Sequence, residues 1–188
     1  MALRFPSDDL NQEQLEALKD VERITKELQG EKFSLKDAKG NYLGPYGLLA
    51  YTPSTVVGFV NYSVSYYTLP YLTLRERELS VLAVTSVTKA KYIEYAHKII
   101  GVQAGLTQEQ VDRASRGFVP KGLSEKEEDV FELALEMARG FGTLEDEVFE
   151  SAVKLLSKEG VAALAQLIGG YMLVTVLEQV ADVAVPTS

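Results

Sequence analysis

Three ionisable side chains between residues 72 and 106 have the types and spacing to transfer protons together. Glu94 and His97 are three residues apart, which makes them neighbours on the surface of a helix. Glu78 precedes them, on the apolar side of another predicted helix. A carboxylate that bonds an imidazole can fix its tautomer and suit it to acid–base catalysis near neutral pH. The residues therefore predict proton-transfer chemistry centred on His97.

Two predicted helices hold these groups. The first begins at Thr73, where the Thr-x-x-Glu pattern that ends at Glu76 has the form of a capping box. The second covers about residues 90–104 and contains Glu94 and His97. Capping boxes of the same form at Thr107 and Ser124 predict two further helix starts.

The rest of the chain predicts an all-α protein. Apolar residues recur at helical spacing over residues 11–28, and glycine and proline make residues 31–47 an irregular connection. Polar residues interrupt or flank the uncharged runs 42–74 and 160–177, so we expect buried segments rather than membrane spans. We predict one domain over residues 1–188 with about seven or eight helices.

Two of the capped segments resemble one another. Residues 73–84 align with residues 124–135, cap on cap, which is the pattern of a duplicated helical unit. Both copies have a carboxylate at the equivalent position, but only the first also has the histidine. The matched residues are Thr73 with Ser124, Glu76 with Glu127, Glu78 with Asp129, and His97 with Val148.

Composition excludes several classes of function. The 188 residues include 27 Asp and Glu against 19 Lys and Arg, a formal net charge of −8. An acidic chain without a basic run repels a phosphate backbone, so we expect no nucleic-acid partner. The chain has no cysteine and a single histidine, which excludes disulfides, thiolate chemistry and multi-histidine metal sites. Residues 1–6 lack the apolar centre of a secretory signal, and we expect a cytoplasmic protein.

Four short segments between residues 44 and 107 carry a resemblance to a known family. They are Gly44-Pro-Tyr46 with Pro53, Leu74-Arg-Glu-Arg-Glu-Leu79, Tyr92-Ile-Glu-Tyr-Ala-His97, and Ala104-Gly-Leu-Thr107. Together they resemble the carboxymuconolactone decarboxylase family, within the larger group that includes the alkylhydroperoxidase D-type proteins.

The resemblance also shows what this chain lacks. Peroxidase-type members of the group have the pattern Glu-x11-Cys-x2-Cys-x3-His. That spacing matches Glu78 and His97 here, but the two cysteine positions fall on Ala90 and Ile93. Neither residue can attack a peroxide or be oxidised by it. We therefore expect a protein that is not a thiol peroxidase.

The resemblance implies an alkylhydroperoxidase D-like helical bundle that assembles into trimers or hexamers. It also implies a decarboxylase-like lyase or isomerase that needs neither a metal nor another cofactor. In that reading, His97 protonates or deprotonates an unsaturated cyclic carbonyl compound. Glu78 orients the imidazole or acts as a base on the opposite face, and Glu94 supports the charged form of His97.

Tyrosine is concentrated in one part of the sequence, with seven of the ten tyrosines between residues 42 and 71. A tyrosine combines an apolar ring with a hydroxyl, which suits a pocket for a flat, oxygenated ligand such as a polyketide intermediate. The same residues would also suit a subunit interface. The tyrosines that we predict to bind substrate are Tyr46, Tyr51, Tyr62, Tyr66 and Tyr92.

Other interpretations of these residues stay open at this point. Glu78 could form a salt bridge with Arg75 or Arg77, and Glu94 could pair with Lys91 on the surface. The lone histidine could be a core residue, in which case the protein would bind a small ligand or serve in an assembly without catalysis. A metal enzyme that uses carboxylate ligands ranks last, because the set of ligands is poor.

Overall fold

The computed structural model describes residues 4–29, 35–37, 40–182 and 185. These residues contain one 3₁₀ helix, eight α-helices and no strand beyond an isolated bridge between Lys36 and Tyr42. The prediction of an all-α protein with seven or eight helices is confirmed. The 3₁₀ helix is Ser7–Asp9, and the α-helices are α1 (Gln12–Gln29), α2 (Tyr46–Leu49), α3 (Pro53–Tyr67), α4 (Leu74–Thr88), α5 (Lys91–Gln103), α6 (Gln108–Ala114), α7 (Glu125–Arg139) and α8 (Asp146–Ala181).

The predicted helix starts are confirmed, because all three capping boxes are present. At α4 the Thr73 hydroxyl accepts from the Glu76 N–H, and the Glu76 carboxylate accepts from the Thr73 N–H at 2.7 Å. The boxes at Thr107 and Ser124 begin α6 and α7 in the same way. The predicted connection over residues 31–47 lies partly outside the described residues, and its described part ends where α2 begins.

The chain divides into two compact units, one of residues 1–65 with 176–188 and the other of residues 66–175. In the first unit, Val21 and Ile24 of α1 share an apolar cluster with Val56 and Val60 of α3. That the whole chain forms a single domain stays a prediction.

In the second unit, α4 packs against α5, α6 and α7. Its side chains Leu79 and Leu82 are fully buried among Phe131 of α7 and Leu164 of α8. Glu78 of the same helix is also fully buried in this unit.

Helix α8 breaks at Ser157, whose φ of 65° is outside the helical range. The Ser157 hydroxyl accepts a hydrogen bond from the Gly160 N–H at 3.4 Å, as an N-cap does at the start of a helix. A Cβ at Gly160 would lie 2.8 Å from the Leu156 Cβ, so this turn is packed too tightly for a larger residue.

By length and composition α8 could also cross a membrane. Core helices of soluble proteins pass the same test, and 44% of its most apolar stretch of 18 residues is buried. Its buried positions Val161, Leu164, Leu167 and Ile168 recur at helical spacing and face the core of the second unit.

Two ion pairs join the first turns of α4 and α7 in a reciprocal manner. Arg75 of α4 pairs with Glu127 of α7 at 2.6 Å, and Lys126 of α7 pairs with Glu76 of α4 at 2.9 Å. The partners occupy equivalent positions after the two N-caps. This reciprocity fits the alignment of the two segments in the sequence.

We predict that Arg75→Met lowers the free energy of unfolding by about 1–2 kcal/mol at pH 7, because it removes a partly buried ion pair. Arg75 holds the pKa of the Glu127 carboxyl below its usual value of 4.5. A lowered folded-state pKa stabilises the protein above the usual pKa, and this contribution is lost as the pH falls through the folded-state value. The difference between wild type and variant should therefore shrink in acid. Urea unfolding between pH 3 and pH 7 measures it.

The control is Lys126→Met, which breaks the equivalent pair on the other side of the contact. Lys126 is 47% exposed and pairs with one oxygen of Glu76, whose other oxygen keeps the Thr73 N–H as a donor, whereas Arg75 donates to both oxygens of Glu127. The loss of Lys126 should therefore cost less than about 1 kcal/mol. Equal effects of the two substitutions, or an Arg75→Met effect that does not change with pH, would contradict this account.

Candidate active site

Helices α4 and α5 bring Glu78 and His97 into direct contact. The Nδ1 atom of His97 lies 2.8 Å from Oε2 of Glu78. Glu78 is fully buried, and His97 is 7% exposed. An ionised carboxylate only accepts hydrogen bonds, so with Glu78 ionised Nδ1 is the donor in this contact. The other ring nitrogen, Nε2, is then the atom that can exchange a proton with a ligand.

A glycine lets α5 come this close to its neighbours. Gly101 lies one turn after His97, and a Cβ there would be 2.9 Å from the Val111 side chain and 3.8 Å from the Glu78 Cβ. The first distance is shorter than side-chain carbons tolerate, so a larger residue would push α5 outwards. The separation of Glu78 and His97 thus depends on a residue without a side chain.

The second oxygen of the Glu78 carboxylate also has a partner. The Tyr67 hydroxyl, at the end of α3, donates to Glu78 Oε1 at 2.5 Å. Burying a carboxylate is costly unless donors replace the water that it loses. Here each carboxylate oxygen has one hydrogen-bond partner, which offsets the loss of water around Glu78.

Aromatic rings surround the imidazole. Tyr171 of α8 meets it edge-on, with ring centroids 4.9 Å apart, and the Tyr67 centroid is 6.5 Å away. Burial raises the pKa of the Tyr67 phenol above its usual range, and the negative charge of Glu78 adds to the rise. Tyr67 therefore stays protonated and remains a donor to Glu78.

Glu94 lies on α5 as predicted, but its carboxylate forms an ion pair with Lys98 at 2.8 Å. Lys98 also reaches Asp112 at 3.3 Å. The described hydrogen bond of His97 runs to Glu78 and not to Glu94. The supporting role of Glu94 stays a prediction, without a described contact to the imidazole.

Two of the five predicted binding tyrosines lie in the same compact unit as Glu78 and His97. Tyr66 is buried, and its ring meets that of Tyr171 edge-on at 6.1 Å. Tyr92 on α5 is also buried, with its ring 6.5 Å from that of Tyr95. Tyr66 is thus one ring removed from the imidazole.

The other three predicted binding tyrosines lie in the first unit. Tyr46 and Tyr51 are partly buried there, and Tyr51 donates to the carbonyl of Pro6 at 3.2 Å. Tyr62 is 46% exposed on α3. Their part in binding a substrate stays a prediction.

Sequence reasoning missed Tyr67 and Tyr171 as site residues. Tyr67 is 11 residues before Glu78, on the other side of a turn, where no helical spacing relates the two. Tyr171 belongs to the last helix, far along the chain from His97. The sequence signal for Tyr67 was its place in the tyrosine-rich stretch between residues 42 and 71, although it was not among the tyrosines predicted to bind substrate.

The second unit also has a cavity of about 720 Å³. Phe118, Leu135, Glu136 and Arg139 line it, along the loop after α6 and the outer face of α7. It shares no lining residue with the cluster of Tyr67, Glu78, His97 and Tyr171. Within the described ranges, no group of three or more His, Asp or Glu side chains is placed to hold a metal ion.

Comparison with known proteins supports the fold. No family profile and no curated protein matches the chain. Among solved structures it is similar to the alkylhydroperoxidase AhpD core of an uncharacterized peroxidase-related protein from Ralstonia eutropha JMP134, with a TM-score of 0.73 and 14% identity. The match covers 98% of this chain and 94% of that one. The chain therefore has the alkylhydroperoxidase D-like fold, as the sequence predicted, and it has this fold without a cysteine.

We predict that Gly170→Ala destabilises the protein by about 1–3 kcal/mol, because it overpacks the contact between α8 and the Tyr66 ring. A Cβ at Gly170 would overlap the ring of Tyr66, which is itself packed against Tyr171. Urea unfolding measures the loss.

The matched control is Gly169→Ala, the preceding residue of the same helix, where a Cβ would have nothing within 4 Å. Alanine there should leave stability unchanged or raise it by about 0.5–1 kcal/mol, because it favours the helix. Equal stability of the two variants would contradict the close packing of Gly170 against Tyr66.

Proposed function

We propose that this protein is a cofactor-free lyase or isomerase that uses acid–base catalysis on an unsaturated cyclic carbonyl compound. One observation carries the proposal: a fully buried carboxylate, Glu78, bonds Nδ1 of the single histidine at 2.8 Å. A histidine held this way in an apolar surrounding has one defined nitrogen for proton transfer and a nearby charge to stabilise its protonated form.

The proposed reaction begins at Nε2 of His97. For an isomerisation, Nε2 removes a proton from a carbon next to the carbonyl, and the electrons of the C–H bond form an enolate. Return of the proton to another carbon of the conjugated system moves the double bond. For a decarboxylation, the bond to the carboxylate carbon breaks, CO₂ leaves, and the enolate takes a proton from the imidazolium. In both cases Glu78 stabilises the imidazolium.

The surroundings of His97 favour a ring-shaped substrate. Tyr171 and Tyr67 present aromatic rings within 6.5 Å of the imidazole, and aromatic rings pack well against flat unsaturated ligands. This supports a conjugated ring compound, of which a polyketide-type intermediate is one example.

Thiol peroxidase chemistry is not part of the proposal. The positions that carry cysteines in peroxidase-type members are Ala90, the N-cap of α5, and Ile93, a buried residue. The chain has no other cysteine that could replace them, and peroxide reduction of this kind needs a thiolate.

A second candidate function is the binding of a small ligand without turnover. It is favoured by the low exposure of His97, 7%, and by the position of the 720 Å³ cavity, which lies along the outer face of α7 and shares no residue with the imidazole cluster. In that case the hydrogen bond between Glu78 and His97 would serve only the stability of the core.

The test is a screen of β-keto acids, unsaturated lactones and cyclic enones, followed by CO₂ release and by exchange of substrate protons for solvent deuterium. We predict that His97→Gln lowers the rate on any active compound by about 10²–10⁴-fold, the usual contribution of a positioned acid or base.

The control for this experiment is Asp129→Asn. Asp129 is the exposed α7 residue that aligns with Glu78, so its amide should leave the rate unchanged, whereas Glu78→Gln should lower it. Full activity in His97→Gln would refute the proposal. Binding of a compound without turnover by any variant would favour the second candidate.

A further inference from the structure

We propose that Tyr67 is the positioning residue of this site, which holds Glu78 in the one orientation that bonds Nδ1 of His97. Tyr67 thereby decides which imidazole nitrogen faces the substrate. The inference rests on the proposed function for its kinetic part, and its structural part can be tested without any substrate.

The Glu78 carboxylate is held at both of its oxygens. Glu78 has a donor on each oxygen, Tyr67 at 2.5 Å on Oε1 and His97 at 2.8 Å on Oε2. With His97 as its only donor, the carboxylate would be held at one oxygen and could turn about its side-chain bonds away from Nδ1. The second donor removes that freedom, because the phenol and the imidazole approach from different helices.

Helix α4 in turn fixes the position of Tyr67. Arg77, the residue before Glu78, has its guanidinium carbon 5.7 Å from the centroid of the Tyr67 ring, a cation–π distance. The same guanidinium donates to the carbonyls of Leu69 and Leu72 at 3.1 and 2.9 Å. Arg77 thus ties down the turn between α3 and α4, on which the position of Tyr67 depends.

Side chains from three helices face the imidazole and its carboxylate. Glu78 contributes from α4, Tyr67 from α3 and Tyr171 from α8, and Arg77 faces the Tyr67 ring. Of these, Tyr67 is the donor that shares Glu78 with His97. Because the pKa of its phenol lies above the usual range, Tyr67 positions the carboxylate and does not itself exchange protons with the substrate.

Tyr67→Phe removes the hydroxyl and keeps the ring. Glu78 Oε1 then has no donor in the core, so the carboxylate turns or takes up a proton, and His97 loses its fixed partner. We expect kcat to fall about 10-fold, the effect of one charge-assisted hydrogen bond, with KM within about twofold of wild type.

The readout that needs no substrate is the tautomer of the imidazole, measured by ¹⁵N NMR. The chain has a single histidine, so its ring signals need no assignment. We expect the Nδ1–H tautomer in wild type and a mixture with the Nε2–H tautomer in Tyr67→Phe. Arg77→Gln, which acts through Tyr67, should shift the population in the same direction by a smaller amount, and it serves as a second variant should Tyr67→Phe fold poorly.

The control variant is Tyr95→Phe, a 38% exposed tyrosine on the same helix as His97. It should keep wild-type kcat and tautomer. The proposal is overturned if folded Tyr67→Phe keeps the Nδ1–H tautomer, whatever its kcat, or if kcat is unchanged although the tautomer shifts. Full activity in His97→Gln would refute the proposed function separately. The NMR result would still decide whether Tyr67 sets the tautomer of His97.

Discussion

A carboxylate without any solvent-exposed surface is the constraint on which the rest of the site depends. Glu78 of α4 lies in the apolar core beside fully buried leucines. An unpaired charge there would destabilise the fold by several kcal/mol. The structure meets this demand with two donors, Tyr67 and His97. A carboxylate hydrogen-bonded to an imidazole in an apolar core is also a way to position a histidine for acid–base catalysis. The same contact therefore serves both the stability and the proposed chemistry.

The helices around this contact are arranged to preserve it. The capping box at Thr73 fixes where α4 begins, and hence which face of the helix Glu78 occupies. Gly101 allows α5 to approach closely enough for His97 to reach it. The first turns of α4 and α7 are joined by reciprocal ion pairs. The aligned α7 segment has the exposed Asp129 in the place of Glu78, so the two similar halves differ in the residues that carry the proposed chemistry.

Local features could be predicted from the sequence because local interactions decide them. The capping boxes satisfy backbone donors within four residues, and all three are present. The partnership of Glu78 with His97 was suggested by spacing shared with a known family. Tyr67 and Tyr171 were missed, because they reach the imidazole only through the packing of α3 and α8. Glu94 is a neighbour of His97 on the helix, yet it bonds Lys98, an opposite charge at helical spacing that offers it a strong donor.

The central claim is that the imidazole held by Glu78 meets a bound ring compound. The most direct measurement is a crystal structure with a bicyclic phenol, such as a naphthol, which imitates the enolate of a cyclic ketone. The account predicts the phenol oxygen, or the ring carbon next to it, at about 3 Å from Nε2 of His97, with Tyr171 against the ring. A phenol bound in the cavity beside Arg139, with His97 still enclosed by protein, would contradict it.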